Sequence, residues 1–337
     1  MNQSVIDDDT TVDAVVLHDA VVRALRANGA SERGAEVQAG HLVEGELRGH
    51  ASHGIRRLET IVGRLRAGLI DGDAHAELDW TRGAMLRVDG RLGFGPVVAR
   101  QAIAELEARV GRTGIAIATL RNTNHLGMLA PYVESIARSG RIGIALTTSE
   151  ALVHPWRGSR AMVGTNPIAI AVPTTGEPLV LDMSTAAVSM GRIIDHAERG
   201  MPIPGTWALD AGGFPTTDAA AALTGAISPF GGPKGYALGV ALEAIVGVLA
   251  SGAFGRDVRG TLDTASAPTK GDVLIVIESD SDAAPALTAY LDALREEPGV
   301  RVPGDRARAS RAERLATGIP LDPAVWARVT ELAQETR

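Results

Sequence analysis

Residues 168–182 read Ile168-Ala-Ile-Ala-Val-Pro-Thr-Thr-Gly-Glu-Pro-Leu-Val-Leu-Asp182. Two short apolar runs flank a Thr-Thr-Gly-Glu-Pro turn, the pattern of a β-hairpin. Working outward, 114–120 (Gly-Ile-Ala-Ile-Ala-Thr-Leu) reads as a buried strand, 126–138 as a helix and 142–147 as a further strand. That alternation belongs to an α/β sheet. A hairpin pairs its strands antiparallel, so the sheet is expected to be mixed rather than doubly wound.

The flanks differ. Apolar spacing of about 3.6 predicts helices over 11–28, 31–47 and 58–69, with Asn28-Gly29 stopping the first and Ser31 opening the second. The first eighty residues are therefore read as largely helical. A short strand at 84–90, a proline-started helix at 96–110, a strand at 273–278 and helices at 284–295, 307–317 and 322–334 complete the reading. A helix is expected from 185 to about 199, an ordered loop over the site at 201–232 and a mobile loop at 255–269. A Rossmann fold should show Gly-x-Gly-x-x-Gly after a strand, and the closest run, Gly90-Arg-Leu-Gly-Phe-Gly95, has the wrong spacing. The expectation is a non-Rossmann mixed-sheet domain over 81–305. A largely helical domain over 1–80 would be completed by 306–337.

Composition narrows the function. At 337 residues, 45% of them hydrophobic, the chain can bury a substantial core. Aromatic residues are 3% and the net charge is -7, which argues against stacking on, or charge attraction to, nucleic acid. With no cysteine, disulfides, thiolate metal sites and a cysteine nucleophile are excluded. The acidic start, Asp7-Asp8-Asp9, is unlike a secretory signal, so a cytoplasmic location is expected. The apolar run 236–254 approaches the length of a membrane span, but Glu243 near its middle favours a buried helix of a soluble core and no membrane partner.

The chemistry concentrates in Arg48-Gly-His-Ala-Ser-His-Gly-Ile-Arg-Arg-Leu58. If the preceding helix runs on past Gly49, His53 and Arg57 are four apart on one face. An imidazole can pass a proton to an oxygen gaining charge, and a guanidinium can grip a carboxylate by two parallel hydrogen bonds. Reduction of a 2-oxo acid needs both. The plainer reading is a solvated, arginine-rich surface, and a metal site is a third, disfavoured by the lack of further ligands. Arg121-Asn-Thr-Asn-His125-Leu-Gly127 joins a strand to a helix, with Asn124 as its expected N-cap and His125 beside any anion held there. Asp182, in Leu181-Asp-Met-Ser-Thr185, either caps the next helix or accepts a hydrogen bond from a catalytic imidazole. Gly164-Thr-Asn-Pro167 is turn chemistry or ligand contact. In Phe230-Gly-Gly-Pro-Lys234-Gly-Tyr236 the glycines let backbone and lysine approach a ligand. Val302-Pro-Gly-Asp305-Arg306 reads as a turn before a helix.

Taken in order, these runs, with Trp207-Ala-Leu-Asp210, resemble the malate/L-lactate dehydrogenase family that lacks a Rossmann fold. That family includes sulfolactate, ureidoglycolate and diketogulonate dehydrogenases and Δ1-piperideine-2-carboxylate reductase. The resemblance covers 48–305. It implies a helical substrate domain built from both chain ends, a mixed-sheet domain holding NAD or NADP, no metal, and a homodimer. It implies His53 as proton donor and Arg57 as carboxylate anchor, with Ser52 and His125 lining substrate and nicotinamide and Asp182 supporting the imidazole. Thr165, Asn166, Met183, Ser184, Lys234 and Asp305, with His125 and Asp182, fall where the family touches cofactor.

Departures bear on ligand preference. Trp156-Arg157-Gly158 stands where the family usually has Trp-Gly-Gly, so Arg157 is expected to intrude on, or read, a ligand anion. Pro233 precedes Lys234 where an aromatic or polar residue is common. Asp305 replaces Glu, Ala186 lacks the usual hydroxyl, and 272–278 lacks the family's aromatic pattern. The expected activity is hydride transfer between NAD(P)H and C2 of a small 2-oxo or 2-hydroxy acid of the malate, lactate or sulfolactate type. A cyclic-imine-2-carboxylate reductase and an inactive cofactor-binding homologue are the alternatives.

Overall fold

The computed structural model describes residues 10–261 and 263–335; the acidic Asp7-Asp8-Asp9 run lies outside them. In chain order, β1 (Thr10–Val12), α1 (Ala14–Ala27), α2 (Glu32–Leu47) and α3 (Leu58–Arg66) lead into β2 (Glu77–Arg82), β3 (Met85–Asp89), α4 (Gly95–Thr113) and β4 (Ile115–Arg121). There follow α5 (Ala130–Arg138), β5 (Ile142–Thr147), β6 (Ile168–Val172), β7 (Leu179–Met183) and α6 (Met190–Glu198). Then come β8 (Ala208–Leu209), α7 (Ala219–Ala222), β9 (Ala226–Ile227), α8 (Pro233–Ala250), β10 (Asp272–Ile277) and α9 (Ala284–Glu296). The chain closes with α10 (Asp305–Thr317), β11 (Ile319–Leu321) and α11 (Pro323–Gln334).

The main sheet has the order β2-β3-β4-β10-β5-β6-β7. Only β3 and β4, joined by the α4 crossover, are parallel; the other neighbours, the β6/β7 hairpin included, are antiparallel. The sheet is mixed, as the hairpin requires. β10 runs through its middle and is buried on both faces. Leu274 and Val276 join the core under α4 and α5, while Val273 meets Leu242 and Val246 of α8, the period-two alternation of a strand. β2 belongs to this sheet, so the helical stretch ends before residue 77 rather than at 80.

The chain ends share a second core. Leu17, Val21 and Leu25 of α1 pack with Leu42 of α2, Leu58 and Val62 of α3, and Val329 and Leu332 of α11. Asp13 and Ser31 cap α1 and α2, accepting from Val15 N at 2.8 Å and Gly34 N at 3.2 Å. The first helix starts later than its apolar spacing suggests, because residues 10–12 pair with 319–321 as a strand. That ribbon fastens the carboxyl-terminal segment to the amino-terminal helices.

Three other expectations are corrected. Residues 201–232 form no loop over the cleft; with α6 and Val153 they build a small core of their own, including Ile203, Ala208 and Ile227. Within the described part of 255–269, Arg64 donates to the carbonyls of Asp263 at 2.6 Å and Ser266 at 3.1 Å. The apolar helix α8, long and apolar enough for a membrane span by length and composition, is only half buried. It seats Leu242 and Val246 on the sheet, packs Gly239 against Thr185, and turns Leu238, Ile245 and Val248 outward.

Candidate active site

A cleft of about 260 Å³ opens where the α2–α3 connection faces the ends of β5 and β7 and the segment before α5. The α2–α3 connection is not the continuous helix that the four-residue spacing suggests. Gly49 takes φ +74° and ends α2, and two 3-10 turns follow, Ala51–His53 and Ile55–Arg57. His53 and Arg57 reach the same cleft by this reversal rather than by sharing a helical face. Ser52, His125, Thr165, Asp182, Met183 and Ser184 also line it.

His53 Nδ1 lies 3.0 Å from Ser52 Oγ, and its ring stacks on His125 with centroids 5.8 Å apart. Burial first, then the charge of Arg57, pulls the His53 pKa down to about 3, so the imidazole is neutral near pH 7. Burial and Arg57 hold His125 well below its ordinary value too. The Gly127 N–H donates to His125 Nδ1 at 3.1 Å, which leaves that neutral ring its proton on Nε2. Gly127, at φ +74°, cannot carry a side chain, since a Cβ there would stand 2.3 Å from His41 Nε2. Arg57 donates from Nε to the Ser52 carbonyl at 3.0 Å and makes no ion pair among the described residues. Burial lowers its pKa, against the opposing pull of the Glu150 charge.

Asp182 does not do what either sequence reading assigned to it. α6 begins at Met190 with Ser189 as its cap, five residues later than expected, so Asp182 caps no helix of its own. Its Oδ2 instead accepts the Ala130 N–H at 2.7 Å, holding the start of α5 across the cleft floor. No imidazole bonds to it among the described residues. Burial raises its carboxyl to about 6 against the pull of the Ala130 and Leu129 amides. Asn124 is likewise not the cap of α5. It is buried, donating from Nδ2 to the carbonyls of Leu69, Leu92 and Gly93 and accepting from Arg64 Nε at 3.0 Å.

Four proposed ligand contacts lie outside the cleft lining. Asn166 is buried beneath Thr165, its amide bonded to Glu243 Oε2 at 2.7 Å and to the Gly239 carbonyl. Lys234 is exposed in the first turn of α8. Asp305 is gripped by Arg295 and Arg308, which hold its carboxyl at about 2, and stabilises the turn at Gly304 that docks against Val180. Arg157 is exposed at φ +66°, a backbone state that favours glycine, and does not reach the cleft.

Several lining residues escaped the sequence reading. Glu150, after β5, accepts from the Thr261 N–H at 2.6 Å and from its hydroxyl, fastening Thr261 to the cleft wall. Gly191, at the start of α6, touches Ser52 so closely that a Cβ would sit 2.5 Å from the serine Cβ. Arg64, in a smaller cavity beside the cleft, had a usable signal, since it lies seven residues, two helical turns, after Arg57. Among the described residues no group of three or more His, Cys, Asp or Glu could hold a metal ion.

The family model for malate/L-lactate dehydrogenases matches residues 12–330, and the chain belongs to that family. It is similar to (2R)-3-sulfolactate dehydrogenase (NADP(+)) of Chromohalobacter salexigens, 36% identical over 301 residues, 87% of this chain and 89% of that protein. It is also similar to Δ1-pyrroline-2-carboxylate reductase 2 of Burkholderia multivorans, 34% identical over 334 residues, 95% of this chain and 98% of that protein. Among solved structures, a dehydrogenase from Sinorhizobium meliloti superimposes with a TM-score of 0.93 at 45% identity, covering 97% of this chain and 99% of that one. These relatives make the chain an oxidoreductase of the dehydrogenase or reductase type.

Proposed function

We propose that the protein transfers hydride between NAD(P)H and C2 of a small 2-oxo or 2-hydroxy acid. The observation that carries this reading is the pairing in one cleft of two neutral, half-buried imidazoles, His53 and His125, with a half-buried Arg57 lacking an ion pair among the described residues. The cleft suits the nicotinamide end of the cofactor: Met128, Leu129 and Met183 offer apolar contact, and the hydroxyls of Ser149, Thr165 and Ser184 offer hydrogen bonds. His125, Thr165, Asp182, Met183 and Ser184 would hold that end. Lys234 would meet a phosphate at the exposed start of α8, while Asn166 and Asp305 would support from behind. When bound, the cofactor supplies or accepts the hydride.

Arg57 holds the substrate carboxylate by its free edge. That anion offsets the guanidinium charge which, after burial, does most to keep His53 deprotonated. Loaded with a proton, His53 then protonates the C2 oxygen, so that oxo acid, reduced cofactor and one proton give hydroxy acid and oxidised cofactor. Ser52 orients the imidazole through Nδ1. The protein would act in the cytoplasm as a homodimer, a reading supported by the outward apolar face of α8 and the lack of cysteine.

The test is absorbance at the reduced-nicotinamide band, with NADH and NADPH separately, against pyruvate, oxaloacetate, 3-sulfopyruvate and Δ1-pyrroline-2-carboxylate. Oxidation with an oxo acid is the expected result. Turnover confined to the imine would replace the proposal with an imine reductase, and no turnover with cofactor bound would reject it.

A further inference from the structure

The α2–α3 connection is two 3-10 turns end to end, each closed by bonds within itself. The His53 N–H donates to the His50 carbonyl at 2.9 Å, and the Arg57 N–H to the Gly54 carbonyl at 3.0 Å. Bonds inside each turn leave the angle between the two unset. Arg57 reaches back to the Ser52 carbonyl across the joint, but that bond uses the guanidinium that must meet the substrate. The joint falls at Gly54 and Ile55. There the backbone donor bonds outside both turns: the Ile55 N–H donates to Oε1 of Glu46 at 2.8 Å.

Glu46 stands in the last turn of α2, is 3% exposed and lines no part of the cleft. A Cβ on Gly54 would stand 2.2 Å from Glu46 Oε1, and one on Gly45 would stand 2.9 Å from the His53 carbonyl oxygen. The helix thus meets the two turns with no side chain between, and the Glu46 carboxyl is the polar group in that contact. From behind, Arg314 of α10 donates to the Glu46 carbonyl and Ser310 to that of Leu47 at 3.1 Å, which fixes the end of α2. Burial raises the Glu46 carboxyl pKa, opposed by the Ile55 N–H and by the charges of Arg314 and Arg56. Protonated or not, a carboxyl keeps an oxygen that can accept.

The geometry points to Glu46 as a positioning residue for the reaction, setting the separation of His53 and Arg57 by fixing the joint between their turns. It acts through those two side chains. Arg57, holding the carboxylate, decides where C2 lies, and His53 must then meet the C2 oxygen. A shift of either turn by about 1 Å should cost about a hundredfold in rate. The inference rests on the reading of the cleft as a 2-oxo acid reductase.

The test compares Glu46→Leu, which keeps the bulk and removes the acceptor, with Glu46→Gln, whose amide oxygen can still take the Ile55 N–H. The substrate is whichever of pyruvate, oxaloacetate and 3-sulfopyruvate turns over fastest. Glu46→Leu should lower kcat/KM about tenfold to a hundredfold, by a lower kcat and a higher KM together. The Kd of the reduced cofactor, by fluorescence titration, should stay unchanged, and Glu46→Gln should restore most of the lost kcat/KM. A mere helix-end clamp would lower Tm and leave kcat and KM at wild-type values below the transition. That result, or a Gln variant as impaired as the Leu one, overturns the inference. Should Glu46→Leu not fold, Gly54→Ala presses on the same joint from the other side. Lowered kcat/KM with cofactor affinity kept then supports the inference, and unchanged kcat/KM overturns it. If the wild type reduces no oxo acid, the reductase reading fails by itself, and oxamate replaces the substrate in calorimetry. Oxamate binding weakened in Glu46→Leu and regained in Glu46→Gln supports the positioning role; binding equal in all three proteins, or absent, ends it.

Discussion

His53 must be neutral in the free protein and charged when it delivers a proton. Burial and the Arg57 charge keep the free imidazole near a pKa of about 3, so at pH 5–8 only a small and falling fraction is protonated. The kcat/KM for oxo-acid reduction should therefore decline steadily as pH rises from 5 to 8, whereas hydroxy-acid oxidation should show no acid limb from this group. Rate profiles in both directions check this, and a plateau in the reductive profile would contradict it. His53→Ala should lower kcat by about two to four orders of magnitude with cofactor binding retained by fluorescence titration. The same neutrality affects stability. His41, fully buried and stacked on Tyr132, is also lowered to about 3, below its unfolded value of 6.5. A histidine with a depressed folded pKa contributes stability that is complete above about 6.5 and is lost as pH falls toward 3. His41→Gln should make the fall in Tm between pH 6.5 and 4 shallower by calorimetry; an unchanged slope would remove His41 as a source. Asp182 acts with the opposite sign, losing its contribution as pH rises through about 6.

At the scale of elements, α8 works on two faces. Inward, Glu243 is 7% exposed and gathers three donors, the N–H groups of Gly164 and Gly255 and the Asn166 amide. The Gly164-Thr-Asn-Pro167 turn, and with it Thr165 on the cleft wall, is thus held from behind by a helix some eighty residues later. Glu243→Ala would strand those donors in a dry interior and should cost about 3 kcal/mol, read from the urea midpoint. It should also weaken cofactor binding, since Thr165 loses its support. A glutamate within a long apolar run reads from sequence as evidence against a membrane span. Only the packing reveals that it is the hub of the turn.

At the scale of the whole molecule, the sheet core and the core of the chain ends meet across the cleft, and Arg48 ties them. Its Nε bonds Glu44 at 2.6 Å within α2, and its Nη1 lies 2.5 Å from Glu134 of α5 on the sheet side. Outward, Leu238, Ile245 and Val248 of α8 form an exposed apolar strip, Val248 at 72% of its free surface. A second copy of the chain is the occupant proposed above. Ile245→Glu with Val248→Glu should then give a monomer by light scattering, with Tm lowered because the dimer no longer supports the fold. Unchanged mass would place the interface elsewhere.

What the sequence determined by itself is what depends on short-range order. Alternation and turn residues at 168–182 specified the hairpin and so the mixed sheet. The 3.6 spacing located most helices, and the ordered series of polar runs marked the family and its cleft residues. The strand at 10–12 and the three-residue β11 could not be read, since each is defined only by its partner about 310 positions away. The helix assumed past Gly49 failed because one glycine at positive φ turned the chain, so that His53 and Arg57 converge by reversal. Asp182 holding Ala130, Glu243 holding Asn166, and Arg64 holding the carbonyls of Asp263 and Ser266 are decisions of tertiary structure. Burial and long-range proximity set their partners and charges, and neither is a property of local sequence.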